Sequence, residues 1–484
     1  MQDRLNHIEA LYINTFGEKP TTIDVLPQAG SERRYFRIWN AKKESVIGTY
    51  GANIPENRAF FYFSENFTAK NLPIAHILAV SADEQYYLQT DFGDISLINK
   101  LEATGYNEEN YALFKESLQQ LARLQVKGDK GLDYSECLTN SEFGKQAIMA
   151  DLLYFKYYFL DALRKPYDKQ KLIDDFEAFS NYLTHTDHKF FMFRDFQSRN
   201  IQVMTDGSVH FIDYQGGMKG APQYDVASLL WQARAGLPEA WKKGLLQDYM
   251  NALEPLLSKP LNRTVFESQY NGYVLIRLLQ VLGAYGFRGL FERKAHFLTS
   301  IPLALTNLKS FLANHPMGIA LPEFEKVLDI CVDQNIIDQF TPVQANESTP
   351  LVVKVCSFSF KKGLPIEDDN NGGGFVFDCR GILNPGRIES MKTQTGRDKE
   401  VIQYLEQQTK MPEFLNSVFD VVDISVEDYI KRGFDSLCVS FGCTGGQHRS
   451  VYSADALTRH LKNKFKVKVQ LDHYVQDAKG WVNP

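Results

Sequence analysis

The chain has 484 residues, 44% of them hydrophobic and 23% charged, with a mean hydropathy of -0.30 and a net charge of -6. That length suits about three compact units, and the composition is that of an ordinary globular protein. With this acidic balance, bulk charge does not hold the chain to nucleic acid or anionic lipid, although a local basic patch is compatible with it.

The N-terminus is charged from its third residue and shows no apolar signal core. No uninterrupted apolar stretch is long enough for a membrane span, so a cytoplasmic protein without a membrane partner is expected. The six cysteines are scattered and form no C-x-x-C pair, which argues against a disulfide framework and against a cysteine-rich zinc module. The first hundred residues read as strand-rich. Extended runs at 23–27 and 35–39 flank a loop containing Gly30 and Ser31, and 45–50 supplies a third strand. Residues 55–70 follow as a helix with Phe60, Phe63 and Phe67 on one face, and 77–80 and 85–89 are further strands. Helical spacing begins at 107–126 and dominates 151–312, interrupted by a strand-and-loop insert between Lys189 and Asp225.

This pattern predicts an α+β, two-lobed protein over residues 1–330, with an N-lobe of about 1–90 and a helical C-lobe of about 91–330. Residues 331–350 lack periodicity near their end and carry two prolines, and they read as a linker. A small α/β domain over 351–484 comes next, with strands at 352–358, 374–378 and 437–441. The last of these runs into a Gly-rich turn and a helix beginning near Ser450, a layout that cradles phosphate. Lys462, Lys464, Lys466 and Lys468 alternate along an apparent strand, so they would share one face. That face would be either a stripe contacting the phosphates of RNA or a charged, protected sheet edge.

The chemistry of the first part gathers at residues 193–214. Asp195 stands five residues before Asn200, and Asp213 ends a strand about a dozen residues later. In that spacing Asp195 would accept the proton of an attacking hydroxyl. Asn200 and Asp213 would ligate Mg²⁺, a hard cation that takes oxygen ligands and bridges nucleotide phosphates. With the runs 30–37, 91–94, 212–215, 224–230 and 277–283, these residues resemble the aminoglycoside phosphotransferase/choline kinase type of small-molecule kinase. Within that type they are most similar to bacterial sugar kinases that phosphorylate N-acetylmuramate or N-acetylglucosamine at the anomeric hydroxyl. The resemblance covers residues 10 to 320 and implies a protein-kinase-like (phosphotransferase) fold with ATP and Mg²⁺ as cofactors. Gly30 and Ser31 would lie over the ATP phosphates, Gln89 to Phe92 would meet adenine, and Asp225 would brace the catalytic loop. Two positions depart from the family: Phe193 stands where a His is usual, and 45–50 contains no Lys, so Arg33, Arg34 or Lys43 would take the phosphate-anchoring role.

In the last part, Cys443, Gly446, Arg449 and Ser450 spell C-x-x-G-x-x-R-S, the pattern of a cysteine-phosphatase loop. No His precedes Cys443, no general acid is evident, and anion binding is the expected role. The runs 357–365, 377–380, 384–385, 395–399 and 442–451 closely resemble the C-terminal domain of RapZ, an adaptor of bacterial amino-sugar regulation. The resemblance implies a site for a phosphorylated amino sugar, held by Cys443, Thr444, Gly445, Gly446, His448, Arg449 and Ser450, and a small RNA as a possible partner. Gly386 departs from that family, where a larger residue follows Asn384-Pro385. The favoured expectation is an ATP-dependent kinase of a cell-wall amino sugar fused to a sugar-phosphate sensor. The alternatives are a non-catalytic regulator that binds nucleotide and RNA or a protein, and a kinase acting on an aminoglycoside or choline-like alcohol.

Overall fold

The computed structural model describes residues 2–27, 33–292, 295–365 and 374–480. They divide into two compact units, Met1–Ala284 with Leu303–Val332, and Tyr285–Pro302 with Asp333–Pro484.

In the first unit, β1 (Thr22–Val25), β2 (Arg34–Trp39), β3 (Ser45–Tyr50), β4 (Ile77–Val80) and β5 (Tyr86–Thr90) form one antiparallel sheet in the order β1-β2-β3-β5-β4. Helix α1 (Gln2–Phe16) packs on this sheet through Ile8 and Tyr12, which meet Phe36, Ile38, Tyr86 and Leu88. It was not expected, because its apolar residues form a narrow stripe in a polar stretch. Helix α2 (Ile54–Thr68) starts at Asn53, whose side chain caps Glu56 N–H, and Pro55 fits its first turn. Phe60, Phe63 and Phe67 are buried as their spacing requires, each stabilising the fold by about 1.5–3 kcal/mol. The insert after Lys189 forms two small antiparallel pairs: β6 (Phe190–Met192) with β9 (Met218–Gly220), and β7 (Ile201–Val203) with β8 (Val209–Phe211). Helices surround it. Among the described residues, the helix Arg263–Tyr285 belongs to the one segment with the length and composition of a membrane span, yet Phe266, Tyr270, Tyr273, Leu275 and Leu279 on it are buried in the protein.

In the second unit, β10 (Val352–Ser359), β11 (Gly374–Asp378), β12 (Ser436–Cys443) and β13 (Lys468–His473) form an all-parallel sheet in the order β11-β12-β10-β13. β10 and β12 are buried along nearly their whole length, as central parallel strands covered on both faces must be. Two expectations change here. The linker is partly helical: Asp333 caps a helix over Gln334–Phe340 by accepting from Asn335 N–H, and Ile336 and Ile337 are buried. The lysines do not share a strand. Leu457, Leu461 and Phe465 recur at helical spacing and extend the helix Arg449–Phe465 through Lys462 and Lys464. Lys466 ends that helix in a left-handed conformation, and Lys468 alone begins β13.

Gly396 lies against the turn that precedes this helix and donates to Gln447 O at 3.0 Å. A Cβ there would stand 2.2 Å from His448 O and 2.5 Å from Tyr452 N, both backbone atoms that cannot rotate away. Gly396→Ala is therefore expected to destabilise the second unit by about 3 kcal/mol, read as a lower urea midpoint; an unchanged midpoint would mean the turn can shift.

Candidate functional site

The loop after β6 carries Asp195, and its shape is set by a carboxylate behind it. Asp225, fully buried in the helix Gln223–Leu230, accepts the N–H of Phe193 at 2.8 Å, the N–H of Arg194 at 3.0 Å and Gln125 Nε2 at 3.0 Å. Burial pushes the Asp225 carboxyl up to about 7, against the pull of its three donors. Those contacts hold Arg194 at φ 77, a left-handed conformation that a side-chain-bearing residue adopts only when its surroundings impose it. Arg194 also places Nη2 at 2.9 Å from both oxygens of Asp151 and lies over the rings of Phe143 and Tyr224. Phe193, where the family has His, is buried against Phe196, Phe211 and Tyr214, so an aromatic packing contact holds this part of the loop.

Beyond the turn, Asp195 keeps a half-exposed side chain, with one oxygen 3.2 Å from Arg277 Nη2. Asn200 Nδ2 donates to Asp195 O at 3.0 Å and to Asp213 Oδ2 at 3.4 Å. Asp213 also has positive φ, at 70. Its other oxygen accepts Gln215 Nε2 at 2.8 Å, and the same nitrogen lies 3.3 Å from Glu56 Oε1. Glu56 in turn pairs with Arg33 at 3.3 Å. The structure thus brings together Asp195, Asn200, Asp213 and Arg33, with Gln215 and Glu56 as the links between them. Glu56 and Gln215 were not picked out as site residues. A Glu in the first turn of α2 reads as an ordinary helix-start residue, and only the fold reveals its partner.

An oxygen-loving cation fits this set. The Asn200 amide nitrogen is already engaged, so its carbonyl oxygen accepts no hydrogen bond among the described residues and can ligate beside the Asp213 carboxylate. Of the basic candidates, Arg33 is buried and ion-paired, Arg34 begins β2, and Lys43 occupies the turn between β2 and β3 at φ 63. Gly30 and Ser31 lie outside the described residues. Gln89 is buried in β5 with its amide donating to Thr49 Oγ1 at 3.0 Å, so its side chain is occupied within the sheet. Phe92 stacks on His210 with ring centroids 4.3 Å apart. Beside it, Asp91 is gripped by Arg37 at 2.6 Å, Ser45 at 2.7 Å and Gly93 N–H at 2.8 Å. Burial opposes its ionisation, but these donors prevail and hold the carboxyl below its usual value.

The second unit carries the other cluster, at the C-terminal end of β12. Cys443 ends that strand, and the loop turns through Gly446 at φ 66, where a Cβ would meet Val475 Cγ2 at 2.5 Å. Thr444 and Gly445 are exposed at its rim. Gly446 N–H points at Cys443 Sγ from 3.2 Å, and Ser450 Oγ lies 3.2 Å from the same sulfur. Burial opposes ionisation of the thiol. The Ser450 hydroxyl, the N–H groups of Ser450 and Gln447, and the Arg449 charge outweigh burial and lower its pKa. Arg449 is buried; its Nη1 donates to Ile382 O at 2.6 Å and Arg380 O at 3.1 Å, its Nη2 lies 3.4 Å from Thr444 Oγ1, and its Nε has no partner among the described residues. His448 Nε2 lies 2.9 Å from Met391 O, and burial lowers the pKa of its ring. A Cβ on Gly386 would stand 3.1 Å from His448 Cε1, so this departure leaves the imidazole its room. Nearby, Ser357 Oγ, His473, Arg397 and Asp455 form a chain of polar contacts that the sequence did not disclose, because it joins residues from four separate segments.

Comparison with known proteins follows the same division. Residues 28–257 match the model of the phosphotransferase enzyme family, and residues 351–476 match that of the RapZ C-terminal domain. A nucleotide-binding protein of Acetivibrio thermocellus is 40% identical over 141 residues, 29% of this chain and 46% of that protein. Another, from Fervidobacterium nodosum, is 31% identical over 191 residues, 38% of this chain and 66% of that protein. The chain thus spans about half the length of the first of these curated relatives. Among solved structures, an ethanolamine kinase of Plasmodium vivax is similar at 14% identity with a TM-score of 0.43, covering 60% of this chain and 82% of that one. One region of the chain thus matches the phosphotransferase enzyme family, and a later one matches the RapZ C-terminal domain.

Proposed function

We propose that the first unit is an ATP-dependent kinase that phosphorylates a hydroxyl of a cell-wall amino sugar of the N-acetylmuramate or N-acetylglucosamine type. The observation that carries this reading is the continuous polar chain Arg33–Glu56–Gln215–Asp213–Asn200–Asp195, which aligns a buried cation, an oxygen-ligand pair and a half-exposed carboxylate. Asp195 takes the proton from the acceptor hydroxyl through the oxygen that Arg277 leaves free. Asn200 and Asp213 would hold Mg²⁺, which neutralises charge on the transferring phosphoryl group. Arg33, oriented by Glu56, stands in for the family's lysine, and its fork suits phosphate oxygens. Around Asp195 the charged neighbours include Arg277, the Arg194–Asp151 pair and the buried Asp225. In the second unit the loop after β12 would bind a phosphorylated amino sugar, with Arg449 and the helix N-terminus facing the anion.

The test is ADP release with Mg²⁺-ATP and a panel of N-acetylmuramate, N-acetylglucosamine, glucosamine, kanamycin and choline. Turnover is expected on an amino sugar, and Asp195→Asn should reduce it about 1000-fold, the scale of a lost general base. Turnover confined to choline or kanamycin would overturn the acceptor, and no turnover at all with ATP still bound would leave a nucleotide-binding regulator. Arg33→Met should raise KM for ATP roughly 10- to 100-fold, the loss of one charge-assisted contact, while Arg33→Lys recovers part of it. An unchanged KM in Arg33→Met would assign the phosphate anchor to another residue.

A further inference from the structure

The loop after β12 holds more than an anion cradle needs. An anion requires N–H groups and a positive charge; it does not require a thiol at the bottom of the loop. Here Gly446 N–H donates to Cys443 Sγ and the Ser450 hydroxyl lies 3.2 Å from it, free to turn its proton toward a thiolate. The Arg449 guanidinium is used asymmetrically. Its Nη1 is spent on the carbonyls of Ile382 and Arg380, which fixes the plane of the group. The opposite edge remains: among the described residues Nε is buried without a partner, and Nη2 has only a long approach to Thr444 Oγ1. An Nε/Nη2 edge is the fork that takes two oxygens of a phosphoryl group, and an unpaired guanidinium nitrogen in a 4% exposed residue is costly unless a ligand satisfies it. The helix that begins at Arg449 is 17 residues long and adds its positive end. The sheet adds position, because β12 lies between β11 and β10 and the loop therefore opens at the carboxyl end of a central parallel strand.

We propose that residues 443–450 form a second catalytic site, a thiol-dependent phosphatase in which Cys443 is the nucleophile and Arg449 holds the phosphoryl oxygens. This rests on the loop being an anion site and is independent of the kinase assignment. The Cys443 thiolate attacks phosphorus; the sulfur–phosphorus bond forms as the bond to the ester oxygen breaks, and that oxygen leaves with the electron pair. Water then attacks the phosphocysteine, the sulfur–phosphorus bond breaks, inorganic phosphate departs, the thiolate is regenerated and the water proton passes to solvent. The ester oxygen gains no proton from Asp378. Asp378, which β11 brings opposite Gly442, is bound at both oxygens by Arg380, and that hydrogen bonding lowers its pKa. It stays ionised at neutral pH and has no proton to give, so the leaving oxygen departs as an anion and takes a proton from water. The substrate class is accordingly a phosphate ester whose leaving group is stable as an anion, an aryl or acyl phosphate.

The experiment uses the full chain without ATP and with p-nitrophenyl phosphate as the probe, following nitrophenolate release. In parallel, alkylation of Cys443 by iodoacetamide is measured with and without inorganic phosphate. Release is expected from the unmodified protein, to be lost in Cys443→Ser and lowered about 100-fold in Arg449→Lys, with phosphate slowing the alkylation. Equal release from Cys443→Ser would overturn the proposal. Absence of release from a protein whose Cys443 is still protected by phosphate would overturn the chemistry while leaving the anion site standing.

Discussion

A carboxylate that has lost its water organises the first unit. Asp225 accepts two consecutive backbone N–H groups, from Phe193 and Arg194, and is itself held by Gln125. Removing it would leave those donors buried and unpaired, which costs more than the bonds contribute when formed. The consequence reaches outward: Arg194 stays in a left-handed conformation, the chain reverses, and Asp195 emerges half exposed. Asn200 then closes the loop by donating back to Asp195 O, and it is this closure that brings its amide to Asp213.

The two proposed phosphate sites differ in construction. The first uses side chains, a buried Arg33 and an oxygen pair, mounted on elements that a sheet and a helix bring together from distant positions. The second uses the backbone, a turn at the end of a parallel strand, with the helix that follows supplying the field. Both rely on a buried arginine whose orientation is fixed by protein acceptors: Glu56 for Arg33, and the carbonyls of Ile382 and Arg380 for Arg449. Fixing the guanidinium in advance lowers the entropy lost on binding an anion.

Much of this was legible in the sequence, for a physical reason. Asp195, Asn200 and Asp213 are polar residues in strongly apolar surroundings, and their spacing is set by a loop and a hairpin that are short in sequence. The loop 443–450 was equally visible, since strand, glycines and helix are contiguous. What could not be read depends on tertiary placement. Arg33 and Glu56 meet only because α2 begins beside the start of β2, and no local pattern announces that. The lysine alternation at 462–468 misled because two periods compete there; the apolar residues Leu457, Leu461 and Phe465 decided for helix, and the exposed lysines had no say. The helix at Gln334–Phe340 was hidden within polar residues, its two isoleucines too few to set a period.

The central claim is that Asp225 holds the loop from which Asp195 acts, and amide hydrogen exchange in Asp225→Asn tests it most directly. The substitution keeps the side-chain size but replaces one accepting oxygen with a donor. Exchange at Phe193 and Arg194 should accelerate by about 10- to 100-fold, the equivalent of one charge-assisted hydrogen bond. Protection in the helix Glu108–Asp129 should persist, and ADP formation should fall in step with the opening of the loop. Native-like protection at Phe193 and Arg194, or full activity with those amides exchanging freely, would contradict the account.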